Sequence, residues 1–195
     1  MGVAERRIRD RAERENRITA AARQIAAREG WAAVTIRRLA DEIEYSQPVL
    51  YAHFANRDAI VAAVALEGFR DIAVEIRCAA LEDGDRANAP RNVALAYLDF
   101  ARENPALYEA MFSMPTGLQF SVGNIEPELR EAFAALAAVV TLRAGDVDII
   151  TETFWAALHG LAELERSGRI AHDLRDQRVA HVVDGLLPHG SKEIG

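Results

Sequence analysis

The stretch Thr35–Arg57, TIRRLADEIEYSQPVLYAHFANR, decides how this chain is read. Ile36, Leu39, Ala40 and Ile43 recur at i, i+3, i+4 and i+7, which places them on one face of a short helix. Thr35 precedes that face as an N-cap, because its hydroxyl oxygen suits an unpaired N–H of the first turn. Tyr45 and Ser46 interrupt the pattern. Ser46 is then expected to cap a second helix with Pro48 in its first turn, where a missing N–H costs nothing. Leu50 and Phe54, four apart, point one way, and Gln47, Val49 and His53 face elsewhere. A short helix that buries two residues and displays Gln, Tyr and His is built to present side chains. Two such helices joined by a tight turn have the form of a helix-turn-helix, whose second helix enters a DNA major groove.

The flanks extend the pattern. Ile18, Ala21 and Ala22 lie on a helix that ends at Glu29-Gly30, and Asn56-Arg57-Asp58-Ala59-Ile60 opens another. With Thr35–Ala40 and Ser46–Phe54, these residues resemble the TetR-type transcriptional regulators over roughly residues 14–66. The family usually has Gly in the turn, where Glu44 stands here. A left-handed backbone strains a Glu, so a differently shaped turn is expected.

The resemblance implies a DNA-binding set of Thr35, Arg37, Ser46, Gln47, Pro48, Val49, Tyr51, His53 and Arg57. Gln47, Pro48 and Val49 would face base edges: Gln pairs bidentately with adenine, and the two apolar residues suit a thymine methyl. Arg37 reaches a guanine or a phosphate. Thr35, Tyr51 and His53 bond phosphates, which fixes register without reading sequence. Without DNA, the same residues read as a surface Gln, a capping Thr and a packing Tyr. Arg57 sits in the first turn of its helix, where a cation opposes the helix dipole and costs a few tenths of a kcal/mol. A phosphate docked at the free N–H groups there would account for it. Residues 5–17 hold six Arg and four acids. They fit either a basic arm in the minor groove or a solvated extension of the first helix with i,i+4 pairs such as Asp10 with Arg14.

The net charge of −7 argues at first against nucleic acid, but its distribution reverses that. Residues 1–60 carry +2 and the remainder −9. Binding needs a local basic face, not a basic protein. Half of the 195 residues are apolar, enough for a sizeable core. No apolar run reaches membrane-spanning length, and no apolar segment follows the Arg-rich N-terminus, so no secretory signal or membrane partner is expected. Cys78 is the single cysteine and forms no internal disulfide. These features suit a reducing, cytoplasmic setting.

Strand signals are nearly absent, so the expected fold is all-α with about nine helices. The first runs from about Arg14 to Glu29, and two more form the pair above. The fourth runs from Asn56 toward Leu81, the fifth from Arg91 to Glu103, the sixth from Pro105 and the seventh from Pro127. The eighth runs from Asp146 to Ser167-Gly168, and the ninth from Asp173 to near Pro188. A three-helix head at residues 1–59 would share the fourth helix with a ligand-binding and dimerisation body at residues 60–195. The tail Gly190–Gly195 is expected to be disordered.

In the body, Trp155, His159 and Gly160 resemble the Trp–His–Gly signature of one TetR-type C-terminal class. Gly160 costs roughly 1 kcal/mol mid-helix relative to Ala, so it suggests close approach by a helix or ligand. The aromatic and Met residues of the body, Phe120 among them, suit a core, with a few lining an adaptable apolar pocket. Tyr108, Phe112, Phe133, Trp155 and His159 are the candidate ligand residues. Val147, Ile150, Leu158, Leu161 and Leu164, with Leu174, Val182, Val183 and Leu186, give the last two helices more apolar surface than one protomer needs. By resemblance they form a two-fold four-helix dimer contact. The expected function is that of a homodimeric repressor that binds a palindromic operator and is released by a largely apolar small molecule. Neither a metal nor another cofactor is expected. The alternative is an all-helical ligand-binding protein or enzyme without DNA binding. Against an enzyme stand the missing Gly-rich phosphate loop, the lack of metal spacing among five His, and the lack of a Ser/His/Asp grouping.

Overall fold

Nine α-helices and no strand make up the described residues of the computed structural model, which are 2–119, 125–140 and 146–187. The helices are α1 Val3–Glu29, α2 Ile36–Glu42, α3 Gln47–His53, α4 Arg57–Leu81, α5 Ala89–Glu103, α6 Pro105–Phe112, α7 Pro127–Val140, α8 Val147–Arg166 and α9 Arg175–Leu186. Phe120 and the tail Gly190–Gly195 lie outside the described residues. No described helix is long and apolar enough to cross a membrane.

The described residues divide into two compact units. One draws on Met1–Gly68 and Asn104–Asn124, the other on Phe69–Glu103 and Ile125–Gly195. Thus α6 groups with the N-terminal helices, although it lies far from them in sequence.

In the first unit, α1 buries Ile18, Ala21, Ala22, Ile25 and Ala26. It ends at Gly30, whose φ of 82° is costly for any residue with a Cβ. A 3-10 turn at Trp31–Ala33 follows. Trp31 is buried, and its indole Nε1 donates to the Ala106 carbonyl at 2.8 Å, which ties this turn to α6. α4 crosses α6 closely at Gly68, where a Cβ would lie 2.6 Å from Met111 Sδ. A side chain there would have to displace the side chains of Met111 and Leu107 on α6.

α1 starts at Val3, eleven residues before the expected Arg14. Residues 3–17 lack an apolar face, so periodicity gives no signal there. They are Arg-, Glu- and Ala-rich, which favours helix, and Arg9–Glu13 and Arg11–Glu15 pair at i,i+4. α9 likewise begins at Arg175, after a 3-10 turn at His172–Leu174, not at Asp173.

The second unit packs α5, α7, α8 and α9 on one another. Tyr97, Leu98, Phe154, Leu158, Val179 and Val183 are buried in it. Leu158 and Val183 are therefore core residues and drop out of the expected dimer stripe. A charged cluster closes the α8–α9 corner. Arg175 is only 5% exposed and donates from Nε to Glu165 at 2.9 Å and from a terminal nitrogen to Asp99 at 2.6 Å. Arg178 also reaches Glu165. A buried guanidinium is tolerable only with such partners.

Candidate nucleic-acid interface and effector region

The helix-turn-helix is built from local chemistry. Thr35 Oγ1 accepts from the Arg38 N–H at 3.1 Å and starts α2, and Leu39 and Ala40 are buried beneath it. α2 ends where Tyr45 N–H reaches back to the Ala40 carbonyl at 2.9 Å. That six-residue closure needs a left-handed residue, and Glu44 supplies it at φ 56°. The expectation of a differently shaped turn is therefore corrected: the turn keeps the left-handed geometry, and Glu44 bears the strain. α3 then starts at Ser46 in extended backbone. The position agrees with the expected cap, but the hydroxyl makes no capping bond, so the side-chain cap expected of Ser46 is not formed.

α3 is seven residues long, and only Leu50 is buried. Ser46, Gln47, Pro48 and Val49 are all exposed, and Tyr51 is 54% exposed. An exposed run containing Val and Tyr, held by a single buried anchor, is a surface for contact. Arg37 lies on the exposed side of α2, its nearest acid being Asp41 at 4.0 Å. Arg38 is instead drawn into a network with Glu29 and Glu42, where Arg28 also pairs with Glu42 at 2.8 Å.

Two expected phosphate contacts have protein partners. His53 has a side chain 8% exposed, and its Nδ1 lies 3.2 Å from Glu15 Oε1 on α1. Arg57 donates from Nε to the Val34 carbonyl and from a terminal nitrogen to the Trp31 carbonyl, both at 2.7 Å. The other terminal nitrogen lies 3.5 Å from Asp58. Asn56 Oδ1, not an anion, caps α4 by accepting from the Ala59 N–H. Sequence reasoning also missed Tyr45: its hydroxyl accepts from Arg17 at 3.1 Å, and the guanidinium stands 5.0 Å from the ring centroid. No local signal marks Glu15, Val34, Trp31 or Arg17 as partners, because each lies at least 23 residues away.

The candidate ligand residues divide between the two units. Tyr108 is fully buried in the first unit, with its ring 4.7 Å from that of half-buried Phe112. Phe133, Trp155 and His159 are half-buried in the second. There Trp155 Nε1 donates to the Tyr97 hydroxyl at 3.1 Å. Burial holds the His159 imidazole below its ordinary value, with Glu163 pulling the other way and Arg166 adding to the effect. Gly160 has open space where a Cβ would stand. Asn92, on α5, buries its amide nitrogen with no hydrogen-bond partner among the described residues.

With the fold and this surface defined, the similarities to known proteins fall into place. Residues 18–64 match the model of bacterial regulatory proteins of the tetR family. Residues 91–186 match the tetracyclin repressor-like C-terminal domain. The chain thus carries a tetR-family N-terminal domain and a tetracyclin repressor-like C-terminal domain. It is 30% identical over 148 residues to the uncharacterized HTH-type transcriptional regulator Rv0681 of Mycobacterium tuberculosis, an alignment covering 72% of this chain and 65% of that protein. A protein of unknown function from Rhodococcus sp. RHA1 shares the fold, with a TM-score of 0.71 and 22% identity over 88% of this chain and 92% of that one. So does the multidrug binding protein EbrR, solved in complex with imidazole, with a TM-score of 0.66 and 22% identity over 92% of each chain.

Proposed function

We propose that the protein is a DNA-binding transcriptional regulator of the TetR type, acting as a homodimeric repressor that a small molecule releases. The observation that carries this reading is the exposed face of α3, held by buried Leu50 within a region that matches the tetR-family domain. Gln47, Pro48 and Val49 read base edges. Ser46, Thr35, Arg37, Tyr51, His53 and Arg57 position the head on phosphates, the last two while also holding their protein partners. DNA reading belongs to residues 1–59, and ligand binding and dimerisation to residues 60–195.

The body is of the Trp–His–Gly class, a reading supported by Trp155, His159 and Gly160 on α8 within the C-terminal match. Helices α8 and α9 form the dimer contact. Ile149, Leu164 and Leu174 are exposed apolar residues on and beside them, and Gly160 leaves room for a close helix. The effector is largely apolar; its candidate contacts are Phe133, Trp155 and His159 in the second unit and, taken separately, Tyr108 and Phe112 in the first. α4 supplies residues to both units and carries the response. The effector acts only through its differential affinity for the two states.

Selection of bound duplexes from a random pool, using the full chain, tests this reading. The expected product is a palindrome, since a two-fold dimer presents two identical helices. Recovery of no preferred sequence would reject it.

A further inference from the structure

We infer that the N-terminal half of α1 is a second duplex-binding element, in which Arg7, Arg11 and Arg14 grip the phosphate backbone beside the site read by α3. The inference rests on the reading of α3 given above. Three observations carry it.

First, α1 is one continuous helix from Val3 to Glu29, yet its first buried residue is Ile18. Residues 4–17 pack no apolar side chain into the head, and Ile8 is 71% exposed. At 1.5 Å per residue, Arg7 stands about 17 Å beyond Ile18 along the axis.

Second, the face that packs the head continues as arginine. Ile18, Ala21, Ala22 and Ile25 form the buried stripe. Steps of four, seven and eleven residues back from Ile18 return to nearly the same face. Those positions are Arg14, Arg11 and Arg7, all exposed. Glu5 and Glu13 fall on the opposite side. Where the head ends, the inward stripe therefore changes from apolar to cationic, with Glu15 beside it paired to Arg11. Arg7 and Arg14 are about 10 Å apart along the helix, a span over which a duplex presents several phosphates.

Third, α1 leaves the head beside the recognition helix. Glu15 contacts His53, the last residue of α3, and Arg17 bonds Tyr45, just before it. The arginine face begins at Arg14, one residue before Glu15, and runs on from these ties toward the N-terminus. Arg11 is exposed although it pairs with half-buried Glu15, and Arg7 and Arg14 are exposed as well.

The test is a double variant of the full chain, Arg7→Gln with Arg14→Gln. It leaves Arg11, and with it the Glu15–His53 contact, in place. Gln has nearly the helix propensity of Arg, and neither site is buried. Binding to the selected palindrome is measured at several salt concentrations, on a duplex trimmed to the recognised bases and on one with ten more base pairs at each end. On the longer duplex the salt slope should fall by roughly two per subunit, with base preference unchanged. Wild type should bind the longer duplex at least about tenfold more tightly than the trimmed one, and the variant should lose that advantage. Arg7→Lys with Arg14→Lys should restore both. Equal slopes and equal flank dependence for wild type and the Gln variant would overturn the inference and leave the role of α3 intact. A change in dimer mass on sedimentation would overturn it too, because the arginine face would then meet a second copy of the chain. A wild type with no salt-dependent duplex binding would instead reject the reading of α3 itself.

Discussion

Arg57 Nε donates to the backbone carbonyl of Val34 at 2.7 Å, across 23 residues of sequence. With the matching bond to Trp31, this fork caps the turn between α1 and α2 from the first turn of α4. The Trp31 indole in turn holds Ala106, so one residue pair links the start of α4 to α6 within the first unit.

Arg57→Ala should therefore lower stability as well as duplex affinity. Two charge-assisted bonds are lost from a partly buried site, for a cost of about 2–3 kcal/mol in urea unfolding. Arg57→Lys keeps the charge but not the planar fork. It should recover the salt slope of binding and little of the stability. A Lys variant as stable as wild type would contradict the capping role.

Glu44→Gly should stabilise the protein. A left-handed conformation costs a non-glycine residue about 1–2 kcal/mol, and the entropy of an unfolded Gly takes back about half of that. A net gain of up to about 1 kcal/mol is expected from the denaturation midpoint. A loss would mean that the Glu44 side chain makes a contact worth more than the strain.

Gly160→Leu tests the dimer surface. The space around Gly160 is open within the protomer, so the helical signal should survive. If α8 packs closely on its copy, sedimentation should shift from twice the chain mass toward the monomer. An unchanged dimer would place the contact elsewhere.

His159 sets a direction for acid sensitivity. Burial lowers its folded value below the ordinary 6.5, so the unfolded chain binds the proton more tightly. This contribution to stability is complete above about pH 6.5 and is lost as pH falls below that value. His159→Gln should flatten the decline below about pH 6.5. An equally steep decline in the variant would assign it to other groups.

Much of the head was legible because its signals are local. The Thr35 and Asn56 caps, the buried Leu39, Ala40 and Leu50, and the Gly30 helix end each depend on neighbours within a turn or two. The partners of Trp31, His53, Arg57 and Arg175 depend on how distant helices meet, and no periodicity encodes that. Residues 3–13 were legible only as one of two alternatives, a helical extension with i,i+4 pairs or a basic arm, because their helix rests on propensity and such pairs and has no apolar stripe. Tyr108 and Phe112 read as part of the body by sequence order, yet they group with the N-terminal helices, because the chain returns to that unit at Asn104.

The central claim is that α3 reads DNA through Gln47, and titration of the selected palindrome with wild type and Gln47→Ala at several salt concentrations tests it most directly. Loss of one bidentate base contact should cost roughly 1–3 kcal/mol on the best site. Preference should relax at one position in each half-site, while the salt slope stays within experimental scatter of wild type, since no cation is removed. A Gln47→Ala protein that keeps full affinity and full preference would contradict the account.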